Sequence, residues 1–304
     1  MLKRLVAENC KVVAALRNRS KLIEGDVKTV HVDSVDGATF WTDSLNGIDV
    51  VIHAAARVHV MNDTESDPLG AFRRINVEGT LNLARYAVKA GVRRFIFISS
   101  IKVNGEGTLT GVAYKPQDIP APADPYGVSK MEAEQGLREL AAETGMEVVI
   151  IRPVLIYGPG VKANFQTMMN WLDKGIPLPF GSIHNKRSLV ALDNLVDLVI
   201  TCISHPAAAN QTFLVSDGED LSTTQLLQKM ALALGQPARL LPIPSWVLRG
   251  GAALLGRKSL SNRLCGSLQV DISKTRSLLG WSPLVSVDDA LKATAQNFQE
   301  SKKQ

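Results

Sequence analysis

The chain has 304 residues, 45% hydrophobic and 21% charged, which suits a globular fold of one large or two modest domains and excludes disorder and fibrous repeats. No apolar run approaches the ~18 residues of a membrane span, and the basic N-terminus lacks the apolar stretch and cleavage site of a secretory signal, so a cytoplasmic protein without stable membrane insertion is expected. A net charge of +5 with only 5% aromatic residues argues for an anionic small substrate rather than nucleic acid, and Cys10, Cys202 and Cys265, like the histidines, have neither disulfide nor metal spacing.

Residues 11–16 (KVVAAL) read as a short apolar strand, 27–32 (VKTVHV) as an alternating one, and 49–55 (DVVIHAA) as a buried strand ending in small residues. Val77, Leu81, Ala84 and Val88 recur at helical spacing over 77–90, with Gly91 as the stop. A strand over 94–99, a helix over 130–144 ended by Gly145, and a strand over 147–152 complete an α/β alternation that predicts a parallel sheet with helices on both faces. After Pro153 prolines and glycines cluster. Helical patterns at 223–235 and 287–297 then belong to a smaller region packed at the C-terminal ends of the strands, where open α/β sheets bind ligands. His53 reads as a hydrogen-bonded core histidine. Residues 246–264, apolar and basic, are expected to pack on the smaller region rather than on a lipid surface.

Three residues carry a chemical pattern. Ser100 ends the strand RFIFISS, and Tyr126 and Lys130 stand at i and i+4 in YGVSK, on one face if a helix opens there after Asp124-Pro125. A phenol with a pKa near 10 is a poor base at neutral pH. An ammonium ~4 Å away is worth ~4 kcal/mol to the phenolate, or about three pKa units. Ser100 would donate a hydrogen bond to a substrate oxygen. The chemistry so assembled is proton transfer at a carbinol carbon while hydride passes to or from a nicotinamide.

With these residues in place the sequence resembles the extended short-chain dehydrogenase/reductases, the NAD-dependent epimerase/dehydratase family, in its nucleotide-sugar branch around UDP-glucose 4-epimerase. The resemblance runs almost end to end: DVVIHAAA, INVEGTLNLARYAVKAG, FISSIKVNGE, YGVSK, IIRPVLIYGPG, KRSLVALDNLVD and DISKTRSLLGWSP. It implies a Rossmann-like doubly wound sheet, with a dinucleotide-binding part over 1–155 and a mainly substrate-binding part over 156–304, some of whose segments return to the sheet. It makes Ser100, Tyr126 and Lys130 catalytic. It assigns Ala54, Ala55, Ala56, Asn76, Pro153, Tyr126 and Lys130 to an NAD or NADP cofactor, and Ser100, Asn164 and Arg187 to a UDP-sugar. A homodimer is also implied.

Two departures accompany the resemblance. After Ser100 the chain reads Ile101, Lys102, Val103, Asn104, Gly105, where the epimerases have a small residue, Thr or Ala, Val, Tyr and Gly. This form is closer to a subgroup, 4-reductases included, acting on 4-keto-6-deoxy amino-sugar nucleotides in surface-polysaccharide pathways. The family's opening strand and GxxGxxG turn find no match, because Gly105-Glu106-Gly107 opens no helix and Gly250-Gly251 follows no strand. Residues 2–9 resemble the end of the first helix, so the expectation is a sheet lacking its middle strand. The strand end at Ala15-Leu16-Arg17-Asn18-Arg19 holds no acid. Arg17, with Arg19 in reserve, suits a 2′-phosphate, and Asp33 resembles the adenine-contacting aspartate. A UDP-sugar 4-epimerase or 4-keto reductase is therefore expected. The alternatives are an NADP-dependent reductase of a steroid- or flavonoid-like alcohol, and an inactive truncated remnant.

Overall fold

The computed structural model describes residues 1–17, 27–58, 67–254 and 264–303, without the side chains of 252–254. Arg19, His59 and residues 255–263 lie outside the described residues. In the first half, α1 (Leu2–Ala7) precedes β1 (Val12–Leu16), β2 (Val27–His31) and β3 (Val50–His53), then α2 (Pro68–Arg73), α3 (Thr80–Lys89), β4 (Arg94–Ile98), β5 (Ala113–Tyr114), α4 (Pro125–Thr144) and β6 (Glu147–Pro153). The rest comprises β7 (Leu155–Tyr157), α5 (Ala163–Asp173), β8 (Arg187–Ala191), α6 (Leu192–Ser204), β9 (Thr212–Val215), β10 (Asp220–Leu221), α7 (Thr223–Leu234), α8 (Ser245–Leu254), β11 (Gln269–Val270), α9 (Ser273–Leu279) and α10 (Val287–Ser301).

β3, β4, β6 and β9 form a parallel sheet in that order, and β1 pairs in parallel with β2. Among the described residues no strand pairs with the second edge of β1 or the outer edge of β3. Alternation along the strands builds the two faces. Phe95, Phe97, Val148 and Ile150 pack with Leu83, Ala84, Ala133 and Leu137 of α3 and α4 on one side. Ile96, Val149 and Ile151 pack with Leu195, Leu198 and Val199 of α6, and with Leu279, on the other. A further core joins α5, α7 and α10 to Leu189 and Ala191 of β8.

Local signals set the boundaries. Asp124 caps α4 by accepting from the Gly127 N–H at 2.7 Å, with Pro125 at the first helical position, and Gly145 ends it at φ +75°. Ser222 and Gln225 form a capping box on α7. The helix expected over 77–90 is in fact α2 and α3 joined by a π-helical turn, Arg74–Gly79. The segment from 246 departs from expectation: Trp246, at the start of α8, is 74% exposed instead of packed. Among the described residues, no helix is long and apolar enough to cross a membrane, and no cluster could hold a metal ion.

Candidate active site

The C-terminal ends of β3, β4 and β6 and the start of α4 bring the predicted site together. Ser100 follows β4 and caps a short 3-10 turn, Ile101–Val103, its Oγ accepting from the Lys102 N–H at 3.3 Å. Tyr126 lies in the first turn of α4, close enough to the Ser100 hydroxyl to be influenced by it. Lys130, one turn on, is buried; its Nζ donates to the Ile98 carbonyl at 2.8 Å and lies 4.3 Å from the Phe97 ring centre.

The electrostatics differ from the sequence expectation. Burial pushes the Tyr126 phenol up to about 12, the Ser100 hydroxyl pulls it down, and the Asp124 carboxylate pushes it up further. The expected depression by Lys130 is not realised, because that ammonium is directed at a carbonyl and a ring. Burial pulls Lys130 itself down to about 7, against the Glu134 carboxylate, which raises it. Desolvating an ammonium favours its neutral form.

Asn76, 1% exposed, ties the strand ends together. Its Oδ1 accepts from the Arg57 N–H at 2.8 Å, and its Nδ2 donates to the Arg57 carbonyl and the Ser129 hydroxyl, each at 3.0 Å. The loop carrying Ala54, Ala55 and Ala56 is thereby fixed to α4. A π-helical turn places this asparagine, a common device at functional sites. His53 is the core histidine expected: its Nε2 is hydrogen-bonded with Thr80 Oγ1 at 3.0 Å, it stacks with Phe97 at 5.9 Å, and burial holds it down to about 3.

The remaining predicted residues sit farther out. Pro153 is buried at the end of β6. Arg17 is exposed just after β1, its carbonyl accepting from His31 Nε2 at 3.0 Å, and Asp33 is 94% exposed after β2. Asn164 is exposed near the start of α5, and Arg187 opens β8 and donates to the Gly266 carbonyl at 3.1 Å.

Sequence reasoning missed a buried ionic network behind the site. Glu134 of α4 is fully buried and accepts from Arg152 at 2.8 and 2.6 Å, from Ser99 at 2.6 Å and from Arg138 at 3.0 Å. Arg152 also donates to Asn104 Oδ1 at 2.9 Å. The available signal was a carboxylate between Ala133 and Leu137 on the buried face of α4, and an arginine inside the apolar strand EVVIIRP. Burial of either charge requires the other.

The strand ends suit a dinucleotide's nicotinamide half. Ala54 and Ala55 are exposed and present only methyl groups above the sheet, while Tyr126 and Lys130 face the same strand ends from α4. Such a doubly wound sheet with Ser, Tyr and Lys at its C-terminal edge defines a nicotinamide-dependent oxidoreductase class. Residues 1–216 match the model of the NAD dependent epimerase/dehydratase family, and the chain belongs to that family. A UDP-glucose 4-epimerase of Vibrio cholerae is 53% identical over 271 residues, covering 89% of this chain and 83% of its own length. At 28% identity, covering 86% of this chain and 81% of its own, stands the N-acetyl-alpha-D-glucosaminyl-diphospho-ditrans,octacis-undecaprenol 4-epimerase of Escherichia coli O157:H7. The solved structure of the UDP-glucuronic acid 4-epimerase from Bacillus cereus in complex with NAD superposes with a TM-score of 0.79 at 20% identity, covering 99% of this chain and 93% of that one.

Proposed function

We propose that this chain is an NAD(P)-dependent UDP-sugar 4-epimerase. The observation that carries the reading is the convergence of Ser100 and Tyr126 at the end of β4, beside buried Lys130 held on the Ile98 carbonyl. The 53% identical UDP-glucose 4-epimerase supports the choice of reaction and sugar carrier.

A bound nicotinamide supplies the hydride acceptor and donor. The chain's own residues handle the proton. As the C4–H bond gives up hydride, Tyr126 takes the O4 proton and Ser100 donates a hydrogen bond to the forming carbonyl. In the return step the Tyr126 phenol gives the proton back to O4 as hydride re-enters C4 from the other face. A phenol held at about 12 is a strong base once ionised, which suits it to take the O4 proton and then return it. Lys130 holds its place beside the strand end through the Ile98 carbonyl and the Phe97 ring. Ala54–Ala56 and Asn76 would support the nicotinamide side, Arg17 and Asp33 the adenosine side, and Asn164 and Arg187 the UDP-sugar. A homodimer in surface-polysaccharide synthesis completes the reading.

A 4-keto reductase is the second reading, favoured by the exposed Arg17 at the end of β1, where a 2′-phosphate would sit. Purified protein incubated with UDP-glucose, UDP-N-acetylglucosamine and NAD tests both. Interconversion of the 4-epimers, lost in Tyr126→Phe, supports the first reading. Failure to form either epimer, with NADPH consumed only on a 4-keto sugar nucleotide, replaces it with the second.

A further inference from the structure

Lys102 stands where the chain departs from the epimerase pattern, and the site chemistry above gives it no task. Its Nζ is ion-paired with Asp124 and, at 3.1 Å, with Glu106. Asp124 is the cap of α4, two residues before Tyr126, and its other oxygen accepts from the Gly127 N–H. Lys102 is itself two residues after Ser100. One ion pair therefore joins the two segments that carry the reacting hydroxyls. The backbones also touch: a Cβ on Gly127 would lie 2.9 Å from the Lys102 carbonyl, so no side chain fits between turn and helix.

We propose that Lys102 is a positioning residue for Ser100 and Tyr126, bracing the turn after Ser100 against the cap of α4 and neutralising the carboxylate two residues before the phenol. This rests on the reading of Tyr126 as acid and base. The other charged groups around Tyr126 do not duplicate the role. Lys130 is spent on the Ile98 carbonyl and Phe97. Arg57 lies over Phe72, whose ring meets Tyr126 edge-on, and Arg73 is paired with Glu132. Asp124 pushes the phenol up as a nearby charge, and Lys102 is its ion-pair partner. With both side chains part-exposed, at 30% and 25%, the pair is screened by solvent and its effect is modest.

The test follows the ring-carbon NMR signal of Tyr126 with pH in the full chain, the signal being assigned by its loss in Tyr126→Phe. Lys102→Met should raise the Tyr126 midpoint by about half a pH unit. Asp124→Asn, which keeps a capping side chain, should lower it, and the double variant should return it to the wild-type value. A midpoint unmoved by Lys102→Met, or a double variant that stays displaced, overturns the proposal. If Lys102→Met does not fold, Asp124→Asn decides: an unchanged midpoint overturns the proposal and a fall supports it. The parent reading fails separately, if Tyr126→Phe retains full turnover.

Discussion

Lys130 should destabilise the fold it serves. Its ammonium is 2% exposed and held down to about 7 from an ordinary 10.5. At about 1.4 kcal/mol per pKa unit, the charged form is penalised by about 5 kcal/mol. Replacing it in Lys130→Met removes that penalty but abandons the bond to the Ile98 carbonyl, which costs about 1–3 kcal/mol. The variant should therefore be more stable than wild type at pH 7, by about 2 kcal/mol or more. Between the native value near 7 and the unfolded value of 10.5, the unfolded chain holds a proton that the native one has lost. Wild-type stability contributed by this group thus rises with pH across that window and is constant below it. The advantage of Lys130→Met should shrink by about 2 kcal/mol from pH 7 to pH 9. Urea unfolding followed by circular dichroism at both pH values reads this directly. A variant less stable than wild type at pH 7, with a difference independent of pH, refutes the reasoning.

Two more predictions rest on the same structure. Arg152→Met leaves Glu134 buried without its bidentate partner and should cost about 3–5 kcal/mol in urea unfolding, with much of that recovered when Glu134→Leu is added. A loss under ~1 kcal/mol would mean that Ser99 and Arg138 satisfy the carboxylate alone. Arg17→Ala should weaken NADP(H) binding more than NAD(H) binding in a fluorescence titration; equal losses remove Arg17 from the 2′-phosphate.

Much of this architecture could be read from the chain because its strands are short, apolar and spaced by helical periods. EVVIIRP and RFIFI alternate so regularly that each feeds two cores, and Gly91 and Gly145 both take the positive φ that ends a helix. The Ser100, Tyr126 and Lys130 set was legible because i and i+4 on a capped helix leave little freedom. Its electrostatics were not legible. Spacing brings Lys130 to the same helix face as Tyr126 but does not say that a strand-end carbonyl and Phe97 claim the ammonium. The Glu134–Arg152 pair lies between residues far apart in sequence, and Trp246 is exposed although its neighbours are apolar. Such features depend on tertiary contacts that local periodicity does not encode.

The π-helical turn at Arg74–Gly79 constrains how this helix can change. It accommodates one residue more than regular winding would, so everything before it is out of phase with α3. Deleting a residue there would restore uniform helix geometry and rotate the preceding face by about 100°. Asn76 would swing away from Arg57 and Ser129, and Phe72 away from Tyr126. Length, more than composition, is what natural drift or protein engineering must preserve in this segment, and a redesign that idealises the helix would disconnect the strand ends from the helix that holds the phenol.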